Sequence, residues 1–241
     1  MISSVFIALI FLAAGFTQGV TGFGSALVAM PLLLFFLAAR TATPLCVLNG
    51  LVITGYLCLR LKTHMDWRKI LPLCLGCLPG IYVGVVFLKR VDDQLFRLLL
   101  GGMLIAYSVY SLLARPRSRP IHPAWAYAAG FGTGAIGAAF SAGGPPTVVY
   151  ASLTGWSKEA IKATFSAFFF ITGLCIATAH AVTGLTTPVV LHHLAVSAGF
   201  VLAGVWLGTV CSARISRVIY LRMVLMLLVG MGFLMLGSAL P

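Results

Sequence analysis

Charge is what this chain has least of. Charged side chains make up 8% of its 241 residues, and only four of them, Asp66, Asp92, Asp93 and Glu159, are acidic. Soluble domains carry charge on about 25% of their residues, so a soluble enzyme, a nucleic-acid binder and a disordered chain are excluded. The four acids lie in or beside breaks between apolar runs, which leaves no carboxylate inside a membrane segment. A carboxylate metal site and a carboxylate proton relay lose their chemistry with them. No P-loop and no soluble stretch long enough for a nucleotide-driven motor occurs either. The expectation is a protein with no cofactor, no metal and no nucleic-acid partner.

Cysteine chemistry is equally thin. The six cysteines fall within or at the ends of apolar runs, and Cys74-x-x-Cys77 lacks the second pair that a zinc site needs. They read as helix-packing residues. The N-terminus has no basic region before its apolar run and no cleavage signature, so it reads as mature sequence.

What is present is apolar. Hydrophobic types reach 61% with a mean hydropathy of +1.08, and a spanning helix needs about 20 such residues. The chain therefore predicts an all-α polytopic membrane protein with about eight to ten membrane helices, and the lipid bilayer is its first partner. Two apolar blocks are too long for single spans. Residues 2–37 would form a helix of about 54 Å against a hydrocarbon core of about 30 Å. That block reads GFTQGVTGFGSALVAMP at its centre, and residues 123–154 read GFGTGAIGAAFSAGGPPTVVY. Glycines permit a turn and Pro145 and Pro146 remove two backbone donors. Each block is expected to be two short helices meeting at a turn inside the membrane.

The two blocks repeat one another. Gly15, Gly19 and Gly22 recur as Gly130, Gly134 and Gly137 at an offset of 115, and Gly80, Gly84 and Arg90 recur as Gly204, Gly208 and Arg214 at an offset of 124. The expected organisation is a first membrane repeat over 1–113, a basic connecting loop over 114–122 and a second repeat over 123–241. Loop charge orients the halves. If each broken block crossed once, the 16 basic residues would divide nine against seven. If each goes in and returns, Lys158, Lys162, Arg214, Arg217 and Arg222 join the other group and the division is twelve against four. Only the second arrangement obeys the positive-inside rule. The halves are therefore expected to be inverted, with both termini away from the cytoplasm.

Inverted repeats with broken helices recur in transporters, whose substrate sites lie near the midplane where the breaks converge. Helix N-termini there present unpaired N–H groups and positive dipole ends, which suits an anion. The candidate site is Gln18, Gly19, Thr21, Gly22, Gly24 and Ser25 in the first half, and Ser141, Gly143, Gly144 and Thr147 in the second. Asn49, inside a span, is added as a pathway residue, although a helix-to-helix hydrogen bond suits it equally. Glycines at 76, 80, 84, 204 and 208 read as close-packing seams instead. The fingerprint-like Gly132-x-Gly134-x-x-Gly137 follows no strand and lies in membrane sequence, so it is not a dinucleotide site. Two other classes stay open at this point: a passive anion channel of the same fold, and an intramembrane serine hydrolase pairing Ser141 with His180.

These motifs resemble a known family. The turn Gly15-x-x-x-Gly19-x-x-Gly22-x-Gly24 followed by Pro31, the Gly143-Gly144-Pro145 run, and the paired segments GIYVGVVFLKR and GVWLGTVCSAR are similar to the sulfite exporter TauE/SafE family, also grouped with the 4-toluene sulfonate uptake permeases. The resemblance covers essentially the whole chain. It implies a multi-pass carrier of the bacterial inner membrane that exports sulfite or an organosulfonate such as sulfoacetate by alternating access. A small sulfur-containing anion would be its substrate, and a homodimer is compatible with it.

Overall fold

The computed structural model describes residues 2–61, 66–113, 121–154 and 158–239. Among them the chain forms ten helices: α1 (Ile2–Thr21), α2 (Ser25–Leu33), α3 (Ala39–Leu61), α4 (Trp67–Arg90), α5 (Asp93–Leu113), α6 (Trp125–Phe140), α7 (Gly144–Thr154), α8 (Lys158–Val182), α9 (Pro188–Cys211) and α10 (Arg217–Ala239). The protein is an all-helical polytopic membrane protein. Seven of these helices, all but α2, α6 and α7, are long and apolar enough to cross a membrane. The basic run Arg115–Arg119, like Lys62 and Trp156, lies outside the described residues.

Both long apolar blocks break where the glycines fall. Gly22 and Gly24 take φ of +90° and +93°, a left-handed geometry that costs glycine little, and α2 restarts directly after them. In the second half Ser141 itself adopts φ +57° and closes α6, its N–H bonding to the Gly137 carbonyl at 2.8 Å. The expectation of two short helices holds in part. At 20 residues α1 is a full span of about 30 Å, whereas α2 (9 residues) rises about 13 Å and α7 (11 residues) about 16 Å. The returning arms are the shortest, and α6, at 16 residues, rises about 24 Å and falls short of a full span. Pro145 and Pro146 stand at the second and third positions of α7, where a helix has no N–H bond to lose.

The bundle is assembled by two equivalent seams. Along the first, α4 and α6 touch backbone to backbone: a Cβ on Gly76, Gly80 or Gly84 would meet Tyr127 O, Phe131 O or Ala135 O at 2.2, 2.2 and 2.3 Å. Along the second, α1 and α9 do the same, with a Cβ on Gly204 or Gly208 meeting Leu12 O or Phe16 O at 2.2 Å. Lipid tails are as apolar as leucine, so helix association here relies on such close van der Waals contact. In both seams the contacts advance in the same direction along the two helices, so each pair runs parallel. By contrast α3 and α8 run antiparallel, with Gly55 at Phe170 and Leu51 at Gly173. So do α5 and α10, where Gln94 Nε2 donates to Ala239 O at 2.7 Å and Gly101 meets Gly232.

Charge is sorted along the bundle. At one end Arg40 Nη2 donates to Lys89 O (2.7 Å), Arg97 Nη2 donates to Leu34 O (2.9 Å), and Asp93 Oδ1 accepts from Ala39 N (3.2 Å). This gathers the ends of α2 and α4 and the starts of α3 and α5. At the opposite end Asp66 caps α4 by accepting from Arg68 N at 3.1 Å and pairs with Lys69 Nζ at 3.0 Å.

Candidate functional site

The two helix breaks face one cavity. Its volume is about 90 Å³, and its polar lining includes Gln18, Ser25, Thr54, Thr133, Ser141 and Thr172. The first break contributes Gly24 and Ser25, the second Ser141, Gly143 and Gly144, and α3 and α8 close the sides with Gly50, Leu51, Phe169 and Ile176. Among the described residues none of those lining it carries a charge.

Each hairpin is pinned by one side-chain pair. In the first, Ser25 Oγ donates to Gln18 Oε1. In the second, the Thr133 and Thr147 hydroxyls bond to each other. Gln18 and Thr133 stand 115 residues apart, the offset that separates the two glycine motifs. Gln18 bonds to Ser25 through its oxygen, and its Nε2 makes no hydrogen bond among the described residues, although Gln18 is only 5% exposed and lines the cavity. The α2 N-terminus adds bare backbone. Gly24 supplies no side-chain cap, so the first-turn N–H groups of α2 remain open toward an acceptor.

Six of the expected residues therefore converge: Gln18, Gly24, Ser25, Ser141, Gly143 and Gly144. The other five sit elsewhere. Gly19 belongs to the α1–α9 seam, where a Cβ would lie 2.6 Å from Val205 O. Thr21 Oγ1 donates to Thr17 O at 2.7 Å and lies 2.6 Å from Phe23 O, holding the turn. Gly22 supplies the positive φ of that turn, and Thr147 is the pin described above. Asn49 is fully buried between α3 and α9, its Nδ2 donating to Leu45 O at 3.1 Å and Ser197 Oγ at 2.9 Å. Gly143 also has a packing role, since a Cβ there would lie 2.5 Å from Thr133 O.

Sequence reasoning did not assign Thr54, Thr133, Phe23 and Phe169 to this place. The 115 offset pairs Thr133 with Gln18 and was the available signal. Thr54 and Thr172 donate to the Gly50 and Phe168 carbonyls of their own helices at 2.8 Å. Nothing in the sequence pattern distinguishes them from ordinary helix threonines. His180 Nε2 lies 3.0 Å from Ala138 O and its Nδ1 has no hydrogen-bond partner among the described residues, so Ser141 and His180 are not hydrogen-bonded to each other. Among the described residues no group of His, Cys, Asp or Glu is placed to hold a metal.

An uncharged cavity between two broken helix pairs, inside a bundle of spanning helices, defines a membrane transport protein of the broken-helix class. The chain belongs to the sulfite exporter TauE/SafE family, which it matches over residues 7–235. It is thus a multi-pass protein of the bacterial inner membrane. It is similar to a probable sulfite/organosulfonate exporter TauE of Cupriavidus necator, with 27% identity over 143 residues. That alignment covers 56% of this chain and 56% of the relative, so the chain spans about half the length of the curated relative it matches. No solved structure matches the chain.

Proposed function

We propose that the protein is a secondary transporter that exports sulfite or an organosulfonate by alternating access, and that its two halves are inverted repeats. The observation carrying this reading is the convergence of both helix breaks on one uncharged cavity, with the open α2 N-terminus and the unpaired Gln18 Nε2 on its wall. A neutral donor set suits an anion that must also leave. Helix N-termini and amide donors stabilise negative charge through partial charges, whereas a buried Arg or Lys would hold it far more firmly. The binding residues on this reading are Gln18, Gly24, Ser25, Ser141, Gly143 and Gly144. The inversion is supported by the helix directions: α1 and α9 run together, as do α4 and α6, while α3 and α5 oppose their counterparts α8 and α10. Exchanging the halves then maps one glycine seam onto the other.

Proteoliposomes test the proposal. Purified protein should move sulfite or a short sulfonate against its gradient when a pH or voltage difference is imposed. Flux that only ever dissipates the gradient would make the protein a passive channel. Absence of flux and of binding for every sulfur oxyanion would end the substrate reading.

A further inference from the structure

We infer, on the reading above, that the substrate's anionic head is held by the first half, and that the cavity takes a small one-headed anion in preference to one with a second charged end. The two breaks look alike in sequence but differ in what they can donate. A helix leaves its first four N–H groups without intrahelical partners. At α2 these belong to Gly24, Ser25, Ala26 and Leu27, all lining the cavity, and Gln18 Nε2 adds a fifth donor. At α7 the same four positions are Gly143, Gly144, Pro145 and Pro146, and proline has no N–H. Half of that terminus is therefore silent.

The side chains widen the difference. Where the first half has Gln18, with two amide protons, the second has Thr133, whose hydroxyl pairs with Thr147 so that one proton of the two hydroxyls remains. The N–H of Ser141 is spent on Gly137 O, and its hydroxyl is the second half's other side-chain donor on the cavity wall. Phe23 also leans across: its ring carbon is the nearest atom, at 3.7 Å, to where a Gly144 side chain would begin. Phe169 and Ile176 add apolar surface to the same cavity, Ile176 beside Gly137. A charge placed there would lose its water and gain few hydrogen bonds. The cavity, at about 90 Å³, is matched to a handful of waters or one small polyatomic anion. Sulfite or methanesulfonate fits this pattern, with the oxyanion on the α2 terminus and any methyl group toward Phe169. Sulfoacetate would have to set its carboxylate against the proline-faced break.

The test compares ligands and variants by anion-dependent thermal stabilisation of the purified full chain. Methanesulfonate should stabilise the parent protein, with sulfoacetate and ethane-1,2-disulfonate at least tenfold weaker. Gln18→Met removes a donor aimed at a charge and should weaken methanesulfonate about ten- to a hundredfold. Ser141→Gly, compatible with the positive φ, should weaken it about two- to threefold. If Gln18→Met does not fold, Gln18→Glu keeps the acceptor for Ser25 while replacing the donor by a like charge, and should abolish the effect. Sulfoacetate binding as tightly as methanesulfonate, or equal losses from Gln18→Met and Ser141→Gly, would overturn the inference while leaving the anion reading intact. A parent protein stabilised by no anion would overturn both.

Discussion

Asn49 and Ser197 hold each other across the interface of α3 and α9. The amide Nδ2 donates to Ser197 Oγ at 2.9 Å, and that hydroxyl donates back to Asn49 Oδ1 at 3.1 Å. Both residues are fully buried, and the second amide proton goes to Leu45 O. Both amide protons are spent, so this amide has no donor left for an anion. Replacing Asn49 by Leu leaves the Ser197 hydroxyl with only the Leu194 carbonyl at 3.4 Å and should cost about 1 kcal/mol of stability. The double variant Asn49→Leu/Ser197→Ala should recover part of that loss. Thermal melts of the two variants check it, and anion-induced stabilisation should change less than threefold in either.

The glycine seams predict a position-dependent response to one methyl group. Gly80→Ala and Gly204→Ala each bring a Cβ to about 2.2 Å from a carbonyl oxygen of the facing helix, so two backbones must separate. Overpacking of this kind costs about 1–3 kcal/mol or more. Gly230→Ala in α10 meets nothing within 4 Å and should be neutral or slightly stabilising. The same contrast divides the second break. Gly143→Ala collides with Thr133 O at 2.5 Å, whereas a Cβ on Gly144 finds only the Phe23 ring at 3.7 Å. Melting temperatures should therefore fall for Gly80→Ala, Gly143→Ala and Gly204→Ala, and hold for Gly144→Ala. Equal losses at Gly230 and Gly80 would remove the seam argument.

Sequence alone reaches far here because a bilayer leaves few choices. Hydropathy locates helices, glycine and proline locate breaks, and the 115 and 124 offsets pair the glycine motifs of the two halves. Gly22 and Gly24 do adopt the positive φ that a break requires. Helix partnership is less legible. The seam role of Gly80 and Gly204 follows from spacing, but their partners, Phe131 and Leu12, lie 51 and 192 residues away in the sequence. The site shows the same limit. Gly19 and Gly24 belong to one motif, yet Gly19 lies inside α1 and faces α9, whereas Gly24 lies past the break, before α2, and faces the cavity. Asn49 looked like a pathway residue since no pattern shows that Ser197 stands opposite.

The three aspartates have structural employment, so their removal should spare transport. Asp92 Oδ1 accepts from Leu95 N at 2.8 Å and Asp93 Oδ1 from Ala39 N at 3.2 Å. Asparagine retains an acceptor oxygen in either place and is as good a helix cap as aspartate. At Asp66 the contact with Lys69, helped by the Arg68 N–H, holds the carboxyl below its usual range. A depressed folded-state value contributes stability above the unfolded one, near pH 4, and loses it only as pH falls further. Between pH 6 and 8 this group should contribute no pH dependence. Flux measured for Asp66→Asn, Asp92→Asn and Asp93→Asn should stay within about threefold of the parent across that range. A folded variant that binds anion but has lost driven transport would mark its carboxylate as a coupling site.

Arg214 and Asp92 should lie on opposite sides of the membrane. Asp92 sits between α4 and α5, at the end where Arg40 and Arg97 bond to the carbonyls of Lys89 and Leu34. Those cations belong to the group of four in the twelve-to-four division, and Arg214, between α9 and α10, belongs to the twelve. The positive-inside rule then puts Arg214 in the cytoplasm and Asp92 in the periplasm. The C-terminal end of α10 shares the Asp92 side, because Ala239 O accepts from Gln94. Single cysteines at 92 and 214, in a background from which the six native cysteines have been removed, separate the alternatives. An impermeant maleimide added to intact cells should modify Asp92→Cys, and should reach Arg214→Cys only after permeabilisation. Labelling of both from the same side would mean that α4–α5 and α9–α10 turn at one face, and the inverted-repeat proposal would fail.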